Sequence, residues 1–119
     1  MSEIICGCYE LPPDFNLNDD LRDFKLLYRQ LTERGFTLDS ARLRRVAKSV
    51  HWMVARDMDR LENNQRGRII ASAVLVPIET PLEHFGFIED VVVDGGYRRQ
   101  GWGQKLVLML IACARELGL

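Results

Sequence analysis

The sequence has no apolar run long enough to cross a bilayer, and it has little net charge. No stretch approaches the ~18 consecutive apolar residues of a membrane-spanning helix. The 16 lysines and arginines nearly balance the 17 aspartates and glutamates, for a formal charge of -1. That balance argues against nucleic acid or an anionic membrane as the main partner. The amino terminus, MSEIICGCYE, has an early acid and lacks the basic flank of a signal peptide. We therefore expect a small soluble intracellular domain and place it in the cytoplasm.

Cysteine and histidine are also scarce. Cys6, Cys8 and Cys113 are an odd number without a framework spacing, which fits a reducing compartment. Cys6 and Cys8 stand two apart on an expected strand, so they point the same way and pack as small hydrophobic side chains. His51 and His84 have no metal-ligand spacing. We expect no metal site.

Apolar residues are plentiful, at 47% of 119 residues, beside a charged fraction of 28%. This composition excludes a disordered chain, and the length suits one compact domain better than two. No internal repeat or low-complexity run divides the chain. Residues 1–119 are therefore expected to form a single domain.

Apolar periodicity and turn residues predict a strand, two helices, three strands and a final helix. Strands are expected at 4–11, 50–55, 68–78 and 87–93, with the polar run 56–67 as a turn region. The first helix is expected to be capped by Asn18 or Asp19 and to end at Gly35, and the second to open at Asp39 or Ser40. The last should run from near Gly103 to Leu117. Short connections between consecutive strands imply a largely antiparallel sheet flanked by helices, an α+β fold.

The most informative segment is 88–104, IEDVVVDGGYRRQGWGQ, where a buried strand leads through a loop into a helix. The loop would present backbone N–H groups at the positive end of the helix dipole. Gly101 and Gly103 would let the backbone approach a ligand closely, and Arg98 and Arg99 would add positive charge. The dipole contributes only ~0.3–1 kcal/mol, so a diphosphate would need several amides together with the arginines. The glycine pattern alone does not distinguish a diphosphate-binding loop from an ordinary glycine-rich turn between a strand and a helix.

The spacing from Arg98 to Gly103 is R-x-x-G-x-G. It is neither the three-glycine dinucleotide fingerprint nor a P-loop, because no Gly-Lys-Ser/Thr follows. It resembles the pyrophosphate loop of the GNAT superfamily of N-acetyltransferases, whose consensus is Q/R-x-x-G-x-G/A. The preceding strand also looks like the acetyl-CoA strand of that superfamily.

A closer resemblance involves Phe24-Lys25, the segment 30–35 (QLTERG) and the segment 86–93 (GFIEDVVV). These are similar to the eukaryotic-type glucosamine 6-phosphate N-acetyltransferases, which carry Leu-Thr-x-x-Gly and Ile-Glu-Asp-Val/Ile segments. The likeness extends from Asp20 to Gly118. It implies a GNAT-like fold, acetyl-CoA as co-substrate, no metal, a homodimer, and acetylation of the glucosamine 6-phosphate amine in UDP-N-acetylglucosamine synthesis.

The resemblance also implies roles for individual residues. The backbone of Val91, Val92 and Val93 would bind pantetheine as an added strand does, and the Val91 N–H would polarise the thioester carbonyl. Glu89 and Asp90 match contacts to the amino sugar, and Thr32 matches a contact to the sugar phosphate. The residues expected around the pyrophosphate are Arg98, Arg99, Gln100, Gly101, Trp102, Gly103 and Gln104.

The two acids suit the chemistry, because the substrate ammonium must lose a proton before it attacks the thioester. Strand alternation predicts Glu89 and Asp90 on opposite faces of the sheet. We expect Asp90 to contact the amine directly and Glu89 to act partly through its backbone. The alternative is that one of them merely pairs with an arginine.

Three features depart from the family pattern. Trp102 replaces a small aliphatic residue and is expected to pack on the sheet or on the edge of the cofactor. The segment 79–85 is short and lacks a basic residue. The chain ends at Leu119, before the family's last strands and the tyrosine that protonates the thiolate. We expect either a longer natural chain or two chains that cover each other. Another small-amine or peptide acetyltransferase and a non-catalytic CoA-binding module remain alternatives.

Overall fold

Four antiparallel strands form the sheet of the computed structural model, which describes residues 2–119. Their bounds are β1 Ile4–Cys8, β2 His51–Asp57, β3 Arg68–Glu79 and β4 His84–Val93. Each strand pairs with the next along the chain, in the order β1-β2-β3-β4. The antiparallel α+β arrangement predicted from the short connections is thereby confirmed.

Three helices cover the two faces of this sheet: α1 Asp14–Tyr28, α2 Ser40–Ser49 and α3 Trp102–Glu116. Apolar side chains of α1 and α2 pack on one face, where Phe24, Leu43 and Val74 share a buried cluster. Leu106 and Leu110 of α3 pack on the other face. We call these faces the α1–α2 side and the α3 side. A single 3-10 turn, Gly95–Tyr97, connects β4 towards α3.

The first helix differs from its predicted bounds at both ends. It begins at Asp14, directly after Pro13, rather than after an Asn18 or Asp19 cap. Proline is tolerated at a helix start because no backbone N–H is needed there. The negative charge of Asp14, which follows it, interacts favourably with the positive end of the helix dipole. The helix ends at Tyr28, whose carbonyl accepts the Thr32 N–H at 3.1 Å, and not at Gly35.

Several other bounds also shifted, whereas the second helix begins as predicted. The Asp39 carboxylate caps α2 by accepting the Arg42 N–H at 2.8 Å. The first strand ends at Cys8, short of the predicted residue 11, and Arg56 and Asp57 belong to β2 and not to the turn region.

A buried carboxylate fixes α1 on the sheet. Asp20 is fully buried and accepts hydrogen bonds from the Tyr9 hydroxyl at 2.9 Å and from the Asn64 amide at 2.9 Å. The guanidinium groups of Arg56 and Arg66 lie 3.1 and 2.7 Å from its two oxygens. A buried charge is stable only when it is paired in this way. The network therefore holds α1 against β2 and the β2–β3 connection.

Near its end, β4 contains a β-bulge. Glu89 pairs with Val74 and Val92 pairs with Ser72, so the two β4 residues between them lie opposite a single β3 residue. The first of these two, Asp90, has φ 53°, in the left-handed region. A bulge adds one residue to a strand and re-aims the side chains beside it.

This bulge corrects one sequence-based expectation. Paired residues share a face, so Glu89 lies with its partner Val74 on the α1–α2 side. Asp90 lies on that side too, since it lines a cleft together with Val74. The prediction that Glu89 and Asp90 point to opposite faces was wrong, because the extra residue shifts the alternation by one position.

Candidate active site

A cleft of about 370 Å³ opens on the α1–α2 side, between the end of α1, α2 and the sheet. Its walls are largely aromatic and aliphatic, and Asp90 contributes a carboxylate to them. Thr32 lines the same cleft, so the structure brings two of the sequence-predicted substrate residues together. Glu89 is exposed and is not among the lining residues. The remaining lining residues are Tyr28, Leu31, Phe36, Thr37, Leu38, Arg42, Val46, Trp52 and Val74.

A hydroxyl network forms the floor of this cleft beside Asp90. The Trp52 indole Nε1 donates to the Oγ of the fully buried Ser72 at 2.7 Å, and the Tyr28 hydroxyl lies 3.2 Å from the same Oγ. Burial, and to a smaller extent the Asp90 carboxylate, raise the pKa of Tyr28 to about 12, although the Ser72 hydrogen bond opposes them. Tyr28 therefore remains a neutral phenol near Asp90 at physiological pH.

A second cleft of about 700 Å³ shares Thr32, Phe36, Thr37 and Leu38 with the first. Its other lining residues include Lys25, Arg29 and Arg34, beside the acids Glu33 and Asp39. The Thr32 hydroxyl accepts the Arg34 N–H at 3.1 Å and so shapes the turn at this junction. Thr32 thus lies where the Asp90 cleft joins a second cleft that is lined by both basic and acidic side chains.

After β4, the chain makes a short connection that is tied to β3 and to the segment that follows α1. We call residues 94–97 the anchor segment. Asp94 accepts hydrogen bonds from the Gly96 N–H at 3.0 Å and from the Arg68 guanidinium at 2.8 Å. The Gly95 N–H donates to the Gln30 side chain at 2.8 Å. These contacts fix the position of the segment that leads into residues 98–103.

Residues 98–103, which we call the arginine loop, have an open backbone. Arg99 has φ 64° and Gly101 has φ 86°, both left-handed, and α3 begins immediately afterwards at Trp102. A Cβ added to Gly101 would meet no atom within 4 Å, so space is open above this helix N-terminus. Its first amide groups lack partners within the helix and can bind an anion. The residues present therefore fit the diphosphate of a CoA ester.

Some side chains of the arginine loop contact the rest of the protein, and others are exposed without such a contact. The Arg98 Nε donates to the Val93 carbonyl at 3.1 Å and braces the end of β4. Arg99, Gln100 and Gln104 are exposed. Trp102 packs against the α3-side cluster, with the Lys105 Nζ 5.7 Å from its ring centroid, within cation–π range. Packing in this cluster agrees with one of the two positions expected for Trp102, and its contact with the edge of the cofactor stays a prediction.

The first turn of α3 lies directly against β4. A Cβ on Gly103 would come within 3.2 Å of a Val93 methyl group and 3.7 Å of a Val91 methyl group. Glycine therefore permits the close approach of this helix to the strand. As a result, the backbone of Val91–Val93 and the arginine loop border one region at the edge of the sheet.

Sequence reasoning did not identify Tyr28, Trp52, Ser72 or Arg42 as residues of this site. They come from four different elements, and only the fold brings them together. Ser72 carried a usable signal, because it is the polar interruption in the apolar run RIIASAVLVPI. A buried hydroxyl in such a strand requires a hydrogen-bonding partner.

The sequence model of the acetyltransferase (GNAT) family matches residues 15–119, and the chain belongs to that family. GNAT acetyltransferases bind acetyl-CoA and an amine substrate. A comparison with curated proteins gave no match.

Several solved structures share the fold. An acetyltransferase from Trypanosoma brucei has a TM-score of 0.71 and 26% identity over 96% of this chain and 76% of its own. The glucosamine-6-phosphate N-acetyltransferase from Arabidopsis thaliana has a TM-score of 0.72 and 22% identity, over 98% and 77%. An aminoglycoside acetyltransferase from an uncultured soil metagenomic sample, in complex with sisomicin, has a TM-score of 0.68 and 20% identity, over 98% and 72%.

Among residues 2–119 no helix is both long and apolar enough to cross a membrane. The same residues contain no cluster of three or more His, Cys, Asp or Glu side chains arranged to hold a metal ion.

Proposed function

We propose that the chain acetylates the amine of an amino-sugar phosphate with acetyl-CoA, and that glucosamine 6-phosphate, in UDP-N-acetylglucosamine synthesis, is the substrate. The observation that carries this proposal is the bulge in β4. It turns Asp90 towards the cleft on the α1–α2 side, while Val91 and Val93 face Gly103 at the start of α3. An amine held at Asp90 would therefore lie across the strand edge from a thioester held at the arginine loop.

On the amine side, Asp90 would hold the substrate ammonium and receive or relay its proton. A carboxylate is suited to both tasks, and removal of the proton exposes the lone pair that attacks the thioester carbonyl. The reaction forms an N–C amide bond and breaks the C–S bond. The proton that the amine loses balances the one that the departing thiolate gains. Glu89, on the same face, would contribute mainly through its backbone.

On the thioester side, the backbone of Val91, Val92 and Val93 would bind the pantetheine arm. The Val91 N–H would polarise the thioester carbonyl, which is the type of contact whose removal typically slows an acyl transfer about 10²–10³-fold. Arg98, Arg99, Gln100, Gly101, Gly103 and Gln104 would bind the diphosphate, together with the backbone of Trp102.

The two joined clefts support an amino-sugar phosphate as the acceptor. Tyr28, Phe36 and Trp52 line the first cleft, where aromatic side chains would suit the C–H faces of a pyranose ring. Thr32 joins this cleft to the second one, whose lining includes Lys25, Arg29 and Arg34 beside Glu33 and Asp39. The Arg42 guanidinium, which donates to the Thr37 carbonyl at 2.6 Å, adds a positive charge inside the Asp90 cleft. The Arabidopsis protein of the same fold, a glucosamine-6-phosphate N-acetyltransferase, supports this choice.

A thiol-release assay tests the proposal. Purified protein is incubated with acetyl-CoA and, in separate reactions, glucosamine 6-phosphate, glucosamine, an aminoglycoside, a polyamine and an amino acid. We expect the fastest CoA release with glucosamine 6-phosphate and a higher KM for glucosamine. Turnover with one of the other amines alone would replace the sugar assignment by another acetyltransferase activity. CoA binding with no turnover on any amine would favour a CoA-binding module.

We also propose a cytoplasmic homodimer. Cys6, Cys8 and Cys113 are unpaired, which fits a reducing compartment. Among residues 2–119 no strand pairs with the outer edge of β4, where the Phe87 side chain is 51% exposed. An open edge of this kind invites pairing with another chain. Sedimentation equilibrium is expected to give twice the chain mass, and a monomer at all concentrations would contradict the dimer.

A further inference from the structure

We propose that Tyr97 and Asp57 form a positioning pair that holds the arginine loop in the shape that binds a diphosphate. The inference rests on the proposed function, because it takes the arginine loop as the diphosphate site of acetyl-CoA. Neither residue lies in that loop. Tyr97 is the last residue of the anchor segment, and Asp57 is the last residue of β2, two strands away from β4 in the sheet.

The contact is a partly buried hydrogen bond between the anchor segment and the sheet. Asp57 is fully buried, and its carboxylate accepts from the Tyr97 hydroxyl. The other oxygen accepts the Asp59 N–H at 2.9 Å. Burial alone would raise the pKa of Asp57, but hydrogen bonds from Tyr97, the Asp59 N–H and the Ser2 side chain, together with the charge of Arg60, lower that pKa. The carboxylate thus remains a charged acceptor, and charge-assisted hydrogen bonds are the stronger kind.

Tyr97 is suited to act as the donor. Burial and the hydrogen bond to Asp57 raise the pKa of its phenol, so it stays protonated at physiological pH. Its ring packs against the α3-side cluster, which also contains Leu106 of α3. The hydroxyl and the ring therefore fix the end of the anchor segment in both position and direction.

The residues that follow need such support. Arg99 stands at φ 64° and Gly101 at φ 86°. Non-glycine residues in the left-handed region persist where the surrounding structure holds them there. Arg68 and Gln30 fix Asp94 and Gly95 to β3 and to the segment after α1. Tyr97 adds a contact to β2, and the neighbouring Arg98 contacts the end of β4.

A loop that is already ordered loses less entropy when it binds its ligand. Loosening the Tyr97–Asp57 contact should therefore weaken binding of the diphosphate part of acetyl-CoA. It should leave the chemistry at Asp90 and Val91 unchanged. This difference separates a positioning role from a general contribution to stability.

The test compares Tyr97→Phe with Tyr9→Phe. Both variants remove a tyrosine hydroxyl that donates to a buried aspartate, since Tyr9 donates to Asp20 at 2.9 Å. Tyr9 lies in the α1–α2-side cluster and not in the anchor segment. For Tyr97→Phe we expect the KM for acetyl-CoA to rise about tenfold, as for the loss of one charge-assisted hydrogen bond, with kcat unchanged. The KM for acetyl-pantetheine, which lacks the diphosphate, should not change.

For Tyr9→Phe we expect a lower melting temperature and an unchanged KM for acetyl-CoA. Gln30→Ala provides a second variant that does not threaten folding, because Gln30 is exposed. It removes the Gly95 contact and should raise the same KM in the same direction, with kcat retained.

An unchanged KM for acetyl-CoA in both Tyr97→Phe and Gln30→Ala would overturn the inference. So would an equal rise in Tyr9→Phe, or an equal rise in the KM for acetyl-pantetheine. CoA binding by the wild-type protein distinguishes failure of the positioning role from failure of the proposed function. Wild-type protein that does not bind CoA would overturn both proposals, whereas tight wild-type binding with unaffected variants would overturn the positioning role alone.

Discussion

Asp90 occupies a backbone position that few residue types tolerate. Its φ of 53° lies in the left-handed region, where asparagine and aspartate are enriched because their side chains can hydrogen-bond locally. Asp90→Asn should therefore keep the bulge intact while removing the charge that we propose holds the ammonium and accepts its proton. We predict a loss of kcat/KM of about a hundredfold, within the range of general base catalysis. Steady-state thiol release measures it, and circular dichroism checks the fold.

Glu89→Gln is the matched control, because it makes the same chemical change one residue away on the same face. Glu89 is exposed and does not line the cleft. A small effect is expected, and equal losses in the two variants would contradict the assignment of the amine contact to Asp90.

At the scale of single residues, the sequence indicates which residues belong to the site better than it indicates which side of the sheet they face. The motif IEDVVV pointed to Asp90 and the segment QLTERG to Thr32, and the structure places both in one cleft. The side that Glu89 faces depends on the bulge. One inserted residue reverses the alternation without leaving a pattern in the local sequence.

Among the elements, the contact between α3 and β4 depends on Gly103. An alanine Cβ there would meet a Val93 methyl group at 3.2 Å, and valine has little freedom to move away because its χ1 is restricted. Gly103→Ala should therefore push the start of α3 from the strand. We predict a loss of about 1 kcal/mol of unfolding free energy, because the strain exceeds the gain in helix propensity. Urea unfolding measures it.

Gly35→Ala is the control for this prediction. A Cβ at Gly35 would meet nothing within 4 Å, and its φ is not in the left-handed region. The substitution should stabilise slightly or have no effect. A Gly103→Ala protein as stable as Gly35→Ala would contradict the tight contact.

The order and type of the elements followed from periodicity, but the bounds of α1 did not. The Pro12-Pro13 pair indicates the end of a strand, and the same residues can begin a helix because no N–H is needed there. At the other end, Gly35 was favoured as a C-cap, yet α1 stops at Tyr28, and its aromatic ring turns into the cleft. Contacts with the sheet, which local spacing does not encode, decide where this helix ends.

At the scale of the whole molecule, the three tyrosines make the stability of the fold depend on pH in the alkaline range. Burial raises the pKa values of Tyr9, Tyr28 and Tyr97, that of Tyr28 from 10.0 to about 12. A folded-state pKa above the unfolded value contributes stability that is complete below pH 10 and is lost as the pH rises towards 12. We therefore predict that tyrosinate absorbance appears together with loss of the circular dichroism signal. Tyr28→Phe should weaken this alkaline destabilisation.

Tyrosines that ionise near pH 10 in a fully folded protein would contradict that prediction. Agreement would establish that the phenols are shielded from solvent. It would also support the description of Tyr28 as a neutral hydroxyl at the floor of the Asp90 cleft.

The molecule as a whole places the Asp90 cleft on one side of a sheet and the arginine loop on the other, and both border the β4 bulge, where we propose that the amine and the thioester meet. The most direct test of that claim is calorimetric titration of CoA and of pantetheine into the wild-type protein and the Arg99→Ala/Gly101→Val double variant. The double variant removes a charge and blocks the close backbone approach at a left-handed glycine. We predict that the wild type binds CoA, that the double variant loses at least about tenfold in CoA affinity, and that pantetheine affinity barely changes. Equal losses for the two ligands, or no binding of CoA to the wild type, would contradict the account.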